Sequence, residues 1–169
     1  MKFSLKACLA VLSLAFFGAA IGMFALSFID AEAVVLGNAS KDTVASGFEI
    51  AFGQTNLDSG NTLGTLFAFI FVVLGVLAAC YGCFVALTQK KGKKGNKNLK
   101  LICALCTFVV VGVVPAVLLF LTLQTTGATG SVKVGGLLGA NYSLGIGAIL
   151  AAIFSVLGAC SLSVAEISK

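Results

Sequence analysis

The 169-residue chain has no histidine, tryptophan or arginine, a single proline, and only 10% charged residues. Each scarcity excludes something. Soluble domains carry about a quarter charged residues and need polar side chains over their surface, so a water-soluble fold is excluded. Without histidine, a cysteine or serine nucleophile lacks its usual base. The six acids form no paired acid/base arrangement, and five of them (Asp30, Glu32, Asp42, Glu49, Asp58) lie in one segment. No phosphate-cradling glycine loop is present, so the chain is expected to be neither an enzyme nor a cofactor-binding protein.

What the chain has in abundance is apolar sequence, 59% hydrophobic with a mean hydropathy of +1.11. A bilayer crossing takes about 20 helical residues. Four runs qualify, at about residues 7–28, 63–87, 101–123 and 142–165, and none contains Asp, Glu or Lys. Lipid offers the backbone no hydrogen-bond partners, so each run is expected to be an α-helix. The fold expected is an all-α integral membrane protein, a four-transmembrane-helix bundle forming one domain over residues 1–169. Pro115 falls inside the third run and should kink that helix by removing a backbone donor.

Six lysines crowd the short segment between the second and third runs: Lys90, Lys91, Lys93, Lys94, Lys97 and Lys100. Lys2 and Lys6 precede the first run, and Lys169 follows the fourth. An even number of crossings puts all nine on one side, leaving Lys41 and Lys133 on the other. The positive-inside rule makes the lysine-rich side cytoplasmic, with both termini inside, a basic cytoplasmic loop at 88–100, and outer loops at 30–62 and 124–141. The plasma membrane is the expected location. The net charge of +5 does not point to nucleic acid, because the lysines are segregated and not interleaved with aromatics. The basic loop is first a topology determinant. Docking of anionic lipid headgroups, at about 1 kcal/mol per lysine near the surface, is compatible with that role. A secretory-signal reading of the N-terminus, with "AEA" at residues 31–33 as cleavage site, is weaker, since a signal's apolar core spans about 7–15 residues.

Cys8, Cys80, Cys83, Cys103, Cys106 and Cys160 all fall near the lysine-rich ends of their runs. The spacing C-x2-C-x19-C-x2-C of Cys80, Cys83, Cys103 and Cys106 invites a zinc reading. Thiolates would have to be charged to bind metal, and burying charge in hydrocarbon is costly. That cost places metal binding behind reversible S-acylation of juxtamembrane thiols. Both stand behind the expectation that cysteine serves as a small apolar packing residue.

Small residues recur at helix-packing spacing. The fourth run carries Gly147, Ala151, Ser155, Ala159 and Ser163, the first has Gly18 and Gly22, and the second has Gly75 with Ala79 and Ala78 with Gly82. Such residues let helix backbones approach closely where lipid removes the hydrophobic drive. Packing within the bundle is the expectation. A homo-oligomeric interface is the alternative, strongest for the fourth run. "VLAAC" (76–80) and "VLGAC" (156–160) close the second and fourth runs alike, and Asn61 and Asn141 precede them at equal distance. This suggests a tandem, parallel duplication of a helical hairpin.

Outside the runs, residues 47–53 alternate Phe48, Ile50 and Phe52 with Glu49 and Ala51, and residues 130–136 alternate around Lys133. Period two predicts strands, here a small two-stranded element with Glu49 against Lys133. Asn38 in "NAS" and Asn141 in "NYS" fit the glycosylation acceptor pattern. In outline the pattern is similar to the eukaryotic tetraspan families of cell contacts, with a larger first outer loop. The tryptophan and paired outer cysteines of the claudin signature are missing. The function expected is a structural, interaction or accessory subunit packing laterally with membrane partners or with copies of itself. The alternative is an oligomeric pore or permease-like protein for small neutral solutes.

Overall fold

A computed structural model describes residues 5–35, 38–53, 63–88, 97–122, 131–134 and 138–168. It contains four helices long and apolar enough to cross a membrane. The first is α1 (Leu5–Met23) and the second α3 (Leu63–Thr88), with the short α2 (Gly47–Ala51) between them. The third is composite: α4 (Lys97–Phe108), a π-helical turn (Val109–Val113) and α5 (Val114–Phe120). The fourth is α6 (Ile146–Ile167). Two hairpins complete the chain: β1 (Ser27–Val35) with β2 (Asn38–Ser46), and β3 (Ser131–Val134) with β4 (Leu138–Leu144).

The bundle closes as a ring. α1 packs most extensively on α6 and next on α3, α3 meets α5, and the composite third helix lies along α6. At its centre Phe17 of α1 is fully buried. It enters a hole that two glycines open: a Cβ at Gly75 would lie 2.5 Å from the Phe17 ring, and one at Gly158 would lie 3.1 Å from it. Interlocking of this kind supplies the dispersion contacts that hold helices together when lipid is as apolar as the side chains.

At one end of the bundle the two hairpins merge into one antiparallel sheet of order β2-β1-β4-β3. β1 and β4 are central, paired from Ile29↔Leu144 to Val35↔Leu138, and Glu32 stands opposite Lys41 in the β1–β2 register. Backbone bonds tie the sheet to the helices. Gly145 N–H donates to the Phe28 carbonyl at 2.8 Å, and Phe48 N–H donates to the Phe24 carbonyl at 3.0 Å. Beneath them Phe24, Phe28, Phe48 and Phe69 form an aromatic cluster, with Phe24 and Phe69 edge to face at 5.2 Å.

Several expectations change here. The first helix ends at Met23, because residues 24–26 turn through three i→i−3 bonds and the chain continues as β1. The fourth helix begins at Ile146, since Tyr142 to Leu144 belong to β4. Residues 47–51 are not a strand but α2. Ser46 caps it, its hydroxyl accepting from Glu49 N–H while Glu49 accepts from Ser46 N–H, a complete capping box. Glu49 is therefore engaged with Ser46, and the sheet has four strands where two were expected. The halves share a helix–hairpin–helix order. However, β1 is central while β3, its counterpart in a duplication, is an edge, so no two-fold relates the halves within the sheet.

Candidate functional site

The small-residue stripe of α6 works inside the molecule. Gly147, Ala151, Ser155 and Ala159 are all buried. A Cβ at Gly147 would lie 2.8 Å from the Met23 and Ser27 carbonyl oxygens, so α1 and the start of β1 cross α6 there. Gly112, in the π-turn, meets the Ala159 methyl, and a Cβ on it would stand 2.6 Å away. Four hydroxyls mark the seams: Ser13 donates to the Gly158 carbonyl at 2.8 Å and Ser163 to the Ala104 carbonyl at 3.0 Å, while Thr65 and Thr122 meet at 3.4 Å; the buried Ser155 hydroxyl donates within α6 to the Ala151 carbonyl at 2.7 Å. That stripe is covered by the chain's own helices.

Gly18 and Gly22 behave differently. They were expected to pack within the bundle, yet a Cβ on either would meet nothing within 4 Å. Both lie on the exposed side of α1. The stripe that faces outward is thus on the first helix and not on the fourth. Four-residue spacing alone cannot distinguish a stripe turned inward from one turned outward.

Pro115 sits in the first turn of α5, directly after the π-turn. In an α-helix Val111 would receive the N–H that proline lacks, and Val114 N–H here reaches back to the Val109 carbonyl instead. The third helix absorbs its proline by widening one turn, a form common at functional positions in helices.

All six cysteines are free, and all but the partly exposed Cys83 are exposed. They face away from the bundle core. Among the described residues no three His, Cys, Asp or Glu side chains are placed to share a metal ion. Cys80, Cys83, Cys103 and Cys106 are therefore not gathered into a site. The lysine loop is only partly visible: Lys90, Lys91, Lys93 and Lys94 lie outside the described residues. Lys97 opens α4, and Lys100 is exposed on its first turn.

Two features escaped the sequence reading. The Thr65–Thr122 pair joins helices distant in sequence, and nothing local announces it. Glu166, set just beyond the expected fourth span, lies within α6 with Oε2 buried and without a hydrogen-bond partner. Its position as the one acid outside the first inter-helix segment was the available signal.

No protein-family model matches the chain, and no curated protein matches it.

Proposed function

We propose that this chain is a tetraspan membrane protein of the structural or interaction class, which packs laterally with membrane partners and presents its sheet to them. The observation that carries the reading is the sheet. Hairpins from two separate inter-helix segments join into one four-stranded platform and are bonded to the helix ends below. An isolated two-stranded ribbon is marginal, whereas a sheet of four strands seated on a bundle is preorganised for recognition.

In this reading the lysine-rich end is cytoplasmic by the positive-inside rule, and the platform lies on the outer side of the plasma membrane. The lysines of residues 90–100 then meet anionic headgroups, each contributing about 1 kcal/mol. Lateral partners meet the exposed face of α1, where small residues permit close approach.

The test is crosslinking in native membranes from cysteines introduced into β2 or α2, followed by recovery of crosslinked species. A discrete membrane-protein partner or a defined homo-oligomer supports the proposal. Monomeric recovery, together with solute flux through the purified protein in liposomes, overturns it in favour of the pore.

A further inference from the structure

Glu166 is the one acid within the four apolar helices, one residue before the end of α6. α6 packs on both α1 and α4, and Ala7 and Ala10 of α1, Ala104 of α4, and Leu162 and Ala165 of α6 are buried toward this end. The bond from Ser163 Oγ to the Ala104 carbonyl, at 3.0 Å, fixes α6 against α4 one turn away. Two polar groups engage the carboxyl group: the Thr107 hydroxyl of α4 hydrogen-bonds it, and the Lys6 ammonium of α1 acts on it through its charge. Lys100, Cys103 and Cys106 of α4, Cys8 of α1 and Cys160 of α6 are exposed at the same end.

Despite these neighbours, Oε2 is enclosed and receives no hydrogen bond. For a half-buried side chain with one oxygen enclosed and unbonded, desolvation opposes the ionised form more than the neutral acid. Ionisable groups inside membrane helices stand where they have a partner or a task. Among the described residues, Lys6 is the cation whose charge acts on this carboxyl group.

We propose that Glu166 is a proton-binding site: the neutral acid fills the seam between α1, α4 and α6, and the ionised form turns to Lys6 and loosens that end of the bundle. The step is a simple ionisation. The carboxyl O–H bond breaks, the proton passes to water at the rim, and the negative charge is taken up beside the Lys6 ammonium. The bundle then has two arrangements at this end, selected by proton concentration.

Hydrogen–deuterium exchange of the full chain in lipid nanodiscs tests this, with amide rates corrected for their intrinsic pH dependence. In the wild type, corrected exchange in residues 5–10 and 162–167 rises several-fold as pH increases. Glu166→Gln holds the low-pH level throughout. Lys6→Gln moves the rise to higher pH when Glu166 is present and changes nothing beside Glu166→Gln. A flat wild-type profile, a rise that survives Glu166→Gln, or an equal Lys6→Gln effect in both backgrounds overturns the proposal. An infrared titration asks the same question without a variant. The carboxylic-acid carbonyl band must grow as the two segments become protected, and protection that changes without the band refutes the assignment.

Discussion

Replacing Gly75 with alanine adds one methyl group at the tightest point of the bundle. That Cβ would stand 2.5 Å from Cε1 of Phe17 and 2.8 Å from Cδ1 and Cζ, and the ring has little room to retreat, since α6 passes so close behind it that a Cβ on Gly158 would lie 3.1 Å from the ring. Overpacking of this kind costs about 1–3 kcal/mol. Against it, alanine is a better helix former than glycine by about 1 kcal/mol, so the net loss for Gly75→Ala alone is about 0–2 kcal/mol. Gly18→Ala supplies the control. It makes the same chemical change in an apolar helix with nothing within 4 Å of the new methyl. The propensity gain cancels between the two variants, leaving a difference of about 1–3 kcal/mol that reports the Phe17 contact alone. Reversible unfolding in mixed micelles, followed by far-ultraviolet circular dichroism, measures both. Gly18→Ala should equal or exceed the wild type in stability, and Gly75→Ala should fall below it. Phe17→Leu should narrow the gap. Equal stabilities for the two alanine variants would refute the packing argument.

Gly112→Ala should destabilise by about 0–2 kcal/mol net through collision with Ala159, and Ala159→Gly in the same chain should relieve that collision in the same assay. Ser13→Ala, which removes the buried bond to the Gly158 carbonyl, should cost about 0.6 kcal/mol, an average figure for helix–helix hydrogen bonds in membranes. Ser46→Ala removes the α2 cap and should cost about 1 kcal/mol, read as faster amide exchange in Gly47–Ala51. Ser46 N–H, 2.7 Å from Glu49 Oε2, and the Ser46 hydroxyl, at 3.0 Å, hold that carboxyl below its ordinary range. A depressed carboxylate adds stability above its unfolded value and loses it as pH falls through the folded one. Acid should therefore fray α2 in the wild type, and Glu49→Gln should weaken that pH dependence, as followed by the Ser46 amide resonance.

The second and third spans were legible because their apolar runs end in polar sequence. Observed as Leu63–Thr88 and Asn98–Phe120, they lie within a few residues of expectation. The first and fourth were not legible at the sheet end. There Phe24, Phe28 and Leu144 stay apolar after the helix has given way, since a buried strand and a buried helix read alike in composition. Residues 47–53 misled through alternation over too few positions. The capping signature Ser46-x-x-Glu49 was present, and it was the stronger signal for a helix start. The direction of each small-residue stripe depends on where a helix sits in the ring, which four-residue spacing does not encode. Gly147 and Gly18 therefore looked equivalent and are not.

The account rests on four crossings with the lysine-rich hairpin facing the cell interior. A membrane-impermeant amine reagent applied to intact cells, with labelled lysines mapped by mass spectrometry, tests it most directly. Labelling confined to Lys41 and Lys133, and extending to residues 90–100 only after the cells are opened, is the expected result. Modification of Lys90, Lys91, Lys93 or Lys94 in sealed cells would contradict it.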